Sequence, residues 1–124
     1  MKKVLYVEDN RANRILIGRL LDSRYDLVFA EDGETGLRLA EEIKPDLILM
    51  DIGLPDFDGQ TVGAMIRQIP ELKDVRIVAL TAWPEAAVSE LVSRYNFNGS
   101  ISKPIDVSTF PALVESYLQD SAPN

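Results

Sequence analysis

Residues 45–60 read Pro-Asp-Leu-Ile-Leu-Met-Asp-Ile-Gly-Leu-Pro-Asp-Phe-Asp-Gly-Gln. The apolar run from Leu47 to Met50 is continuous rather than alternating, as expected of a strand buried on both faces. It ends on a carboxylate, Asp51. Strands of that kind belong to parallel sheets covered by helices on both sides. An acid at the end of a buried strand needs partners, and the rest of the chain has to supply them.

Outward from this strand, strand-like and helix-like segments alternate. Lys3–Val7 and Asp26–Ala30 read as the first two strands, and Arg76–Leu80 and Ser100–Ser102 as the fourth and fifth. The first helix is expected over Ala12–Leu21, where Leu16/Leu20 and Ile17/Leu21 repeat at helical spacing. The second is expected over Asp32–Glu42. Asp58 is positioned to cap a third helix that runs to about Gln68 and stops at Pro70. Pro84 opens a fourth, with Val88, Leu91, Val92 and Tyr95 on one stripe. The fifth follows a Ser108 cap, with Pro111 in its first turn and Phe110, Leu113, Val114, Tyr117 and Leu118 as its apolar stripe. Five strand–helix units in succession predict an α/β fold, a parallel doubly wound sheet with right-handed crossovers.

Composition narrows the chemistry. The 124 residues suit one domain, and 46% are hydrophobic, enough for a core. No apolar run approaches the roughly 18 residues of a membrane span, and no cleavage site of a signal peptide follows Met1, so a cytoplasmic protein is expected. A net charge of −7 disfavours nucleic acid as a partner. It is consistent with acids gathered around a cation, or with acidic charge that serves solubility alone. The chain has no cysteine and no histidine, which excludes disulfides, thiolate metal sites and histidine-based hydrolases. Any metal has to be held by oxygen, which points to a hard cation such as Mg²⁺.

In a doubly wound sheet, ligands bind beyond the carboxyl ends of the strands. There the sequence places Glu8-Asp9, Asp51, Thr81-Ala82 and Ser102-Lys103-Pro104. Each alone has an ordinary reading: a solvated loop, a cap, a β-former, a turn. Together they assemble three carboxylates, a hydroxyl and an ammonium at one edge. Crowded carboxylates repel, a divalent cation relieves the repulsion, and Lys103 and Thr81 offer donors to phosphate oxygens.

The motifs Val4-Leu-Tyr-Val-Glu-Asp9, Asp46-Leu-Ile-Leu-Met-Asp51 with Pro55 and Gly59, Ala79-Leu-Thr-Ala82 and Ser102-Lys-Pro104 resemble those of receiver domains of bacterial two-component response regulators. The resemblance spans the chain, with residues 1–120 as the receiver domain and 121–124 as a tail. It implies the flavodoxin-like (βα)5 fold with strand order 2-1-3-4-5. It implies that Asp51 accepts a phosphoryl group from phosphohistidine, and that Asp9 and Asp51 bind Mg²⁺ directly and Glu8 through water. Gly53 would offer its backbone carbonyl to the metal. Thr81 and Lys103 would bind phosphoryl oxygens, and the Lys103–Pro104 bond would be cis. No enzyme activity is expected beyond self-phosphorylation and autodephosphorylation. With no histidine in the chain, the phosphoryl donor has to be a histidine kinase or a histidine phosphotransfer protein.

One position departs from the family pattern. Three residues before the lysine, where the family commonly has Tyr or Phe, stands Ser100. Trp83, Tyr95 and Phe97 are the alternative aromatic reporters, with Phe97 expected simply to pack. Output is expected by protein–protein contact through helix four, strand five and helix five, resembling single-domain regulators of cell polarity and chemotaxis. The alternative is a receiver module excised from a hybrid kinase or multidomain regulator, with Gln119–Asn124 as linker. A dehalogenase-type phosphatase, a flavodoxin and a Rossmann enzyme are disfavoured by the lack of their loop motifs.

Overall fold

The central strand is completely enclosed: Leu47, Ile48, Leu49 and Met50 are each 0% exposed, and Asp51 only 5%. A computed structural model describes residues 1–119, so the tail expected at 121–124 lies outside the described residues. The strands are β1 (Lys3–Val7), β2 (Asp26–Ala30), β3 (Leu47–Asp51), β4 (Arg76–Thr81) and β5 (Gly99–Ser102). They form one parallel sheet in the order β2-β1-β3-β4-β5. The helices are α1 (Arg11–Leu21), α2 (Gly33–Ile43), α3 (Gly59–Arg67), α4 (Glu85–Arg94) and α5 (Phe110–Gln119), with a short 3-10 turn at Pro70–Leu72.

Side chains alternate across the sheet and divide the core in two. Leu5, Val7, Ile48, Met50, Ile77 and Ala79 pack toward α2, α3 and α4, meeting Ala40, Val62, Ile66 and Leu91. Val4, Tyr6, Leu47, Leu49, Val78 and Leu80 pack toward α1 and α5, meeting Ile17, Leu21, Phe110, Val114 and Leu118. Fully burying a side chain of this size is worth about 1.5–3 kcal/mol, so both layers contribute substantially.

Capping follows the sequence in part. Asn10 and Asp32 accept from the backbone N–H groups of Asn13 and Thr35, three residues on. Asp58 occupies the cap position of α3, but its side chain makes no capping bond. Ser108 is not the cap of α5. Its N–H and hydroxyl both donate to Asp106 Oδ1, at 3.0 and 2.7 Å, while the Asp106 carbonyl takes the Phe110 N–H. The charged Asp106 carboxylate draws the Ser108 hydroxyl into a short bond within the loop.

Two helices are held more lightly than their stripes suggest. In α4 only Leu91 is buried, while Val88, Val92 and Tyr95 are half-buried. In α5, Phe110, Val114 and Leu118 form the buried row, and Leu113 is 39% exposed. The two helices flank β5, the edge of the sheet, so each has little sheet to cover. Phe97 is buried and lies across Gly63 of α3, as expected of a packing residue.

Candidate functional site

Register determines what meets at the strand ends. Val7 is level with Met50, and Asp51 with Leu80. Glu8, the residue after Val7, therefore comes beside Asp51, and Thr81, level with Ser102, follows Leu80. The carboxylates of Glu8, Asp9 and Asp51 bring ligand oxygens within 4.8 Å of one another. Asp9 is exposed, whereas Glu8 and Asp51 are buried.

Lys103 enters this group from the β5–α5 loop, across a cis peptide bond to Pro104. Its Nζ donates to Asp51 Oδ1 at 2.8 Å and to Glu8 Oε1 at 3.5 Å. The Gly53 N–H donates to the same Asp51 oxygen at 3.2 Å. A Cβ on Gly53 would meet nothing within 4 Å, so this side of the acid is open. Thr81 is buried, and its Oγ1 accepts from the Trp83 N–H at 3.0 Å, which leaves the O–H available to donate.

Glu8 is the most heavily bonded member. Oε1 accepts from the Tyr6 hydroxyl at 2.9 Å and from Asn13 Nδ2 at 3.2 Å, and Oε2 from the Asn10 N–H at 3.2 Å. Arg14 donates to its backbone carbonyl at 2.9 Å. Burial raises the Glu8 pKa above the ordinary carboxylate range, and the neighbouring Asp51 raises it further. Burial alone would depress Lys103, but Asp51 and Glu8 outweigh it and hold the ammonium's pKa up. The pocket thus keeps its lysine charged and disfavours the ionised Glu8, a state that an added cation relieves.

Of the predicted site residues, Glu8, Asp9 and Asp51 come together and Lys103 and the Gly53 N–H bond Asp51, while Thr81 stands at the end of the neighbouring strand with its Oγ1 on the Trp83 N–H. The holders of Glu8 (Tyr6, Asn13 and the Asn10 N–H) were not anticipated. The signal was there: a lone hydroxyl in an apolar strand, two residues before a buried acid, shares that acid's side of the strand.

The chain matches the family model of the response regulator receiver domain over residues 4–115. It belongs to that family. A receiver domain of this kind is a phospho-accepting regulator, and not an enzyme beyond its self-phosphorylation. Among curated relatives, the polar-differentiation response regulator DivK of Brucella anthropi is 37% identical over 121 residues, covering 97% of this chain and 98% of that protein. The receiver domain of the sensor histidine kinase PA1611 of Pseudomonas aeruginosa, solved with a magnesium ion coordinated in its active site cleft, is 30% identical. Its TM-score is 0.85, over 94% of this chain and 97% of that one. The chemotaxis protein CheY4 of Vibrio cholerae shares the fold, with a TM-score of 0.88 at 24% identity over 94% of this receiver domain and 98% of that chain.

Proposed function

We propose that Asp51 is the phosphoryl acceptor of a Mg²⁺-dependent receiver, loaded by a histidine kinase or a histidine phosphotransfer protein. The observation that carries this reading is the Lys103–Asp51–Glu8 contact beside the three-carboxylate cluster. The donor set fits a hard divalent cation, because every side-chain ligand is a carboxylate oxygen and the chain contains neither histidine nor cysteine. Asp9 and Asp51 would hold the ion through their side chains, Glu8 through water and Gly53 through its carbonyl. The cation supplies charge neutralisation at the phosphoryl oxygens.

In the transfer, an Asp51 carboxylate oxygen forms a bond to phosphorus while the phosphorus–nitrogen bond of the donor phosphohistidine breaks. The imidazole leaves with the electron pair and takes up a proton. Lys103 follows the new phosphoryl oxygens, and the Thr81 hydroxyl donates to another. Positioning and charge compensation account for the catalysis, as in phosphoryl transfer generally. No base is needed, since the carboxylate is already an anion.

The readout is protein–protein contact through α4, β5 and α5. Trp83, Val88, Val92, Ser100 and Tyr117 line a groove of about 480 Å³ there. With Ser100 in place of the family's aromatic residue, the Tyr117 ring fills the space over Gly99, and its hydroxyl reaches the Ser100 carbonyl at 3.4 Å. A cytoplasmic location accords with this reading, and no described helix is long and apolar enough to cross a membrane. Incubation with acetyl phosphate and Mg²⁺ followed by intact mass tests the assignment. One phosphoryl group is expected on the wild type and none on Asp51→Asn. Equal labelling of the two would place the acceptor elsewhere.

A further inference from the structure

Strand β1 carries one hydroxyl in its interior. Tyr6 is 0% exposed, its ring sits in the α1/α5 layer among Ile17, Leu49 and Phe110, and it tilts against Phe29 at a centroid distance of 6.1 Å. Residues two apart in a strand share a side of the sheet, so the Tyr6 hydroxyl and the Glu8 carboxylate are brought together by the strand itself. Their bond is 2.9 Å long and wholly buried.

We infer that Tyr6, assisted by Asn13, is a positioning residue that holds the Glu8 carboxylate for the divalent cation. The inference rests on the metal-binding reading above and adds to it a residue outside the ligand set. Glu8 Oε1 has three side-chain donors: Tyr6, Asn13 and Lys103. They differ in permanence. Lys103 is 24% exposed along its side chain and lies nearer Asp51 than Glu8, at 2.8 against 3.5 Å. In the phosphorylated protein it follows the phosphoryl group. Tyr6 cannot leave, because its ring is packed on all sides. Asn13 is fixed on α1, where its own N–H is tied to the Asn10 cap.

When Lys103 moves, the tyrosine and the asparagine hold Oε1 and, with the Asn10 N–H on Oε2, keep Glu8 from swinging about its side-chain torsions. A glutamate lacking those donors could meet the cation only after losing rotamer freedom at the moment of binding. Groups that orient metal-site carboxylates in this way are worth about 10–100-fold in metal affinity. Several donors share the task here, so the lower end is expected for either residue alone.

The simpler account is that the hydroxyl merely satisfies itself in the core. A matched control separates the two. Tyr25 is also buried, and its hydroxyl also donates to a carboxylate, Glu115 Oε1 at 2.7 Å, but it belongs to the α1–β2 connection and α5 rather than to the strand-end pocket. The experiment is calorimetric titration of the full chain with MgCl₂, on the wild type, Tyr6→Phe, Asn13→Ala and Tyr25→Phe. Tyr6→Phe and Asn13→Ala are expected to weaken Mg²⁺ binding by about tenfold. Phosphorylation from acetyl phosphate should slow in both at low Mg²⁺ and recover at saturating Mg²⁺. Tyr25→Phe should bind Mg²⁺ like the wild type even if it melts lower. Unchanged Mg²⁺ affinity in Tyr6→Phe, or an equal loss in Tyr25→Phe, overturns the inference while leaving the metal site standing. If Tyr6→Phe does not fold, Asn13→Ala decides, and normal affinity there overturns it equally. A wild type that binds no Mg²⁺ removes the metal reading itself.

Discussion

Gly59→Ala sets two physical effects against each other. Gly59 opens α3 immediately behind β3, and its N–H donates to the Ile52 carbonyl at 3.1 Å. A methyl group there would run into the carbonyl oxygen of Asp51 and come within 2.8 Å of Ile52 Cα. Both obstacles are backbone, so no side-chain rotation relieves them. Helix propensity favours alanine over glycine by at most about 1 kcal/mol. Overpacking costs typically 1–3 kcal/mol, and displacing α3 also forfeits the Gly59–Ile52 hydrogen bond, about 1 kcal/mol more. The balance is a net loss of about 1–3 kcal/mol, or roughly 3–10 °C in melting temperature for a chain of this length. Gly18→Ala in α1 is the reference. Its methyl would meet only the tip of the Phe29 ring, at 3.4 Å, so propensity acts alone and stability should rise by about 0.5–1 kcal/mol. Urea unfolding followed by circular dichroism measures both. Because Gly59→Ala pushes on the Asp51 backbone, its acetyl phosphate labelling should also slow. Two stabilised variants would refute the reasoning, for then the space behind Asp51 yields more readily than its backbone contacts imply.

Removing Asp56 should make stability less dependent on acid. The Gly33 N–H, then those of Glu34 and Phe57, hold its carboxylate below the usual range, which pins the β3–α3 loop to the start of α2. A depressed pKa in the folded state gives stability that is complete above the unfolded value, near 4, and is lost as pH falls through the folded one. Asp56→Asn should therefore melt below the wild type at pH 7, with the gap closing in acid; a gap constant with pH would contradict this. Saturating Mg²⁺ at about 100 times its dissociation constant should stabilise the fold by about 2.7 kcal/mol, reversibly with EDTA, and a melting curve indifferent to both would speak against the metal site. Trp83 is 44% exposed and its N–H is bonded to Thr81, so beryllofluoride with Mg²⁺ should shift its emission as Thr81 turns toward the acceptor. An unchanged spectrum at saturation would remove Trp83 from the response.

The sheet was legible because its central strands carry unbroken apolar runs, and period and burial agree for Leu47–Met50 as for Val4–Val7. The site was legible because its residues stand at strand ends, where register alone brings them together. What stayed hidden depends on contacts between distant segments. Nothing local tells that Asp56 binds the start of α2, or that Tyr117 fills the space over Gly99. The misassigned cap of α5 is a different failure. Asp106 and Ser108 are both cap residues by type, and it is the bonds from Ser108 to Asp106 within the loop that take Ser108 out of that role. The exposure of Leu113 has a similar source, since periodicity marks an apolar stripe without saying how wide a surface it will find.

The ammonium of Lys103 lies between two of the three acids. With it in place three formal negative charges face one positive, leaving the two that one Mg²⁺ would balance. The dormant protein therefore carries part of its own counter-charge and should keep its shape when the ion is scarce. Magnesium starvation would silence such a regulator without destroying it, and the population already made could answer again as soon as the ion returned.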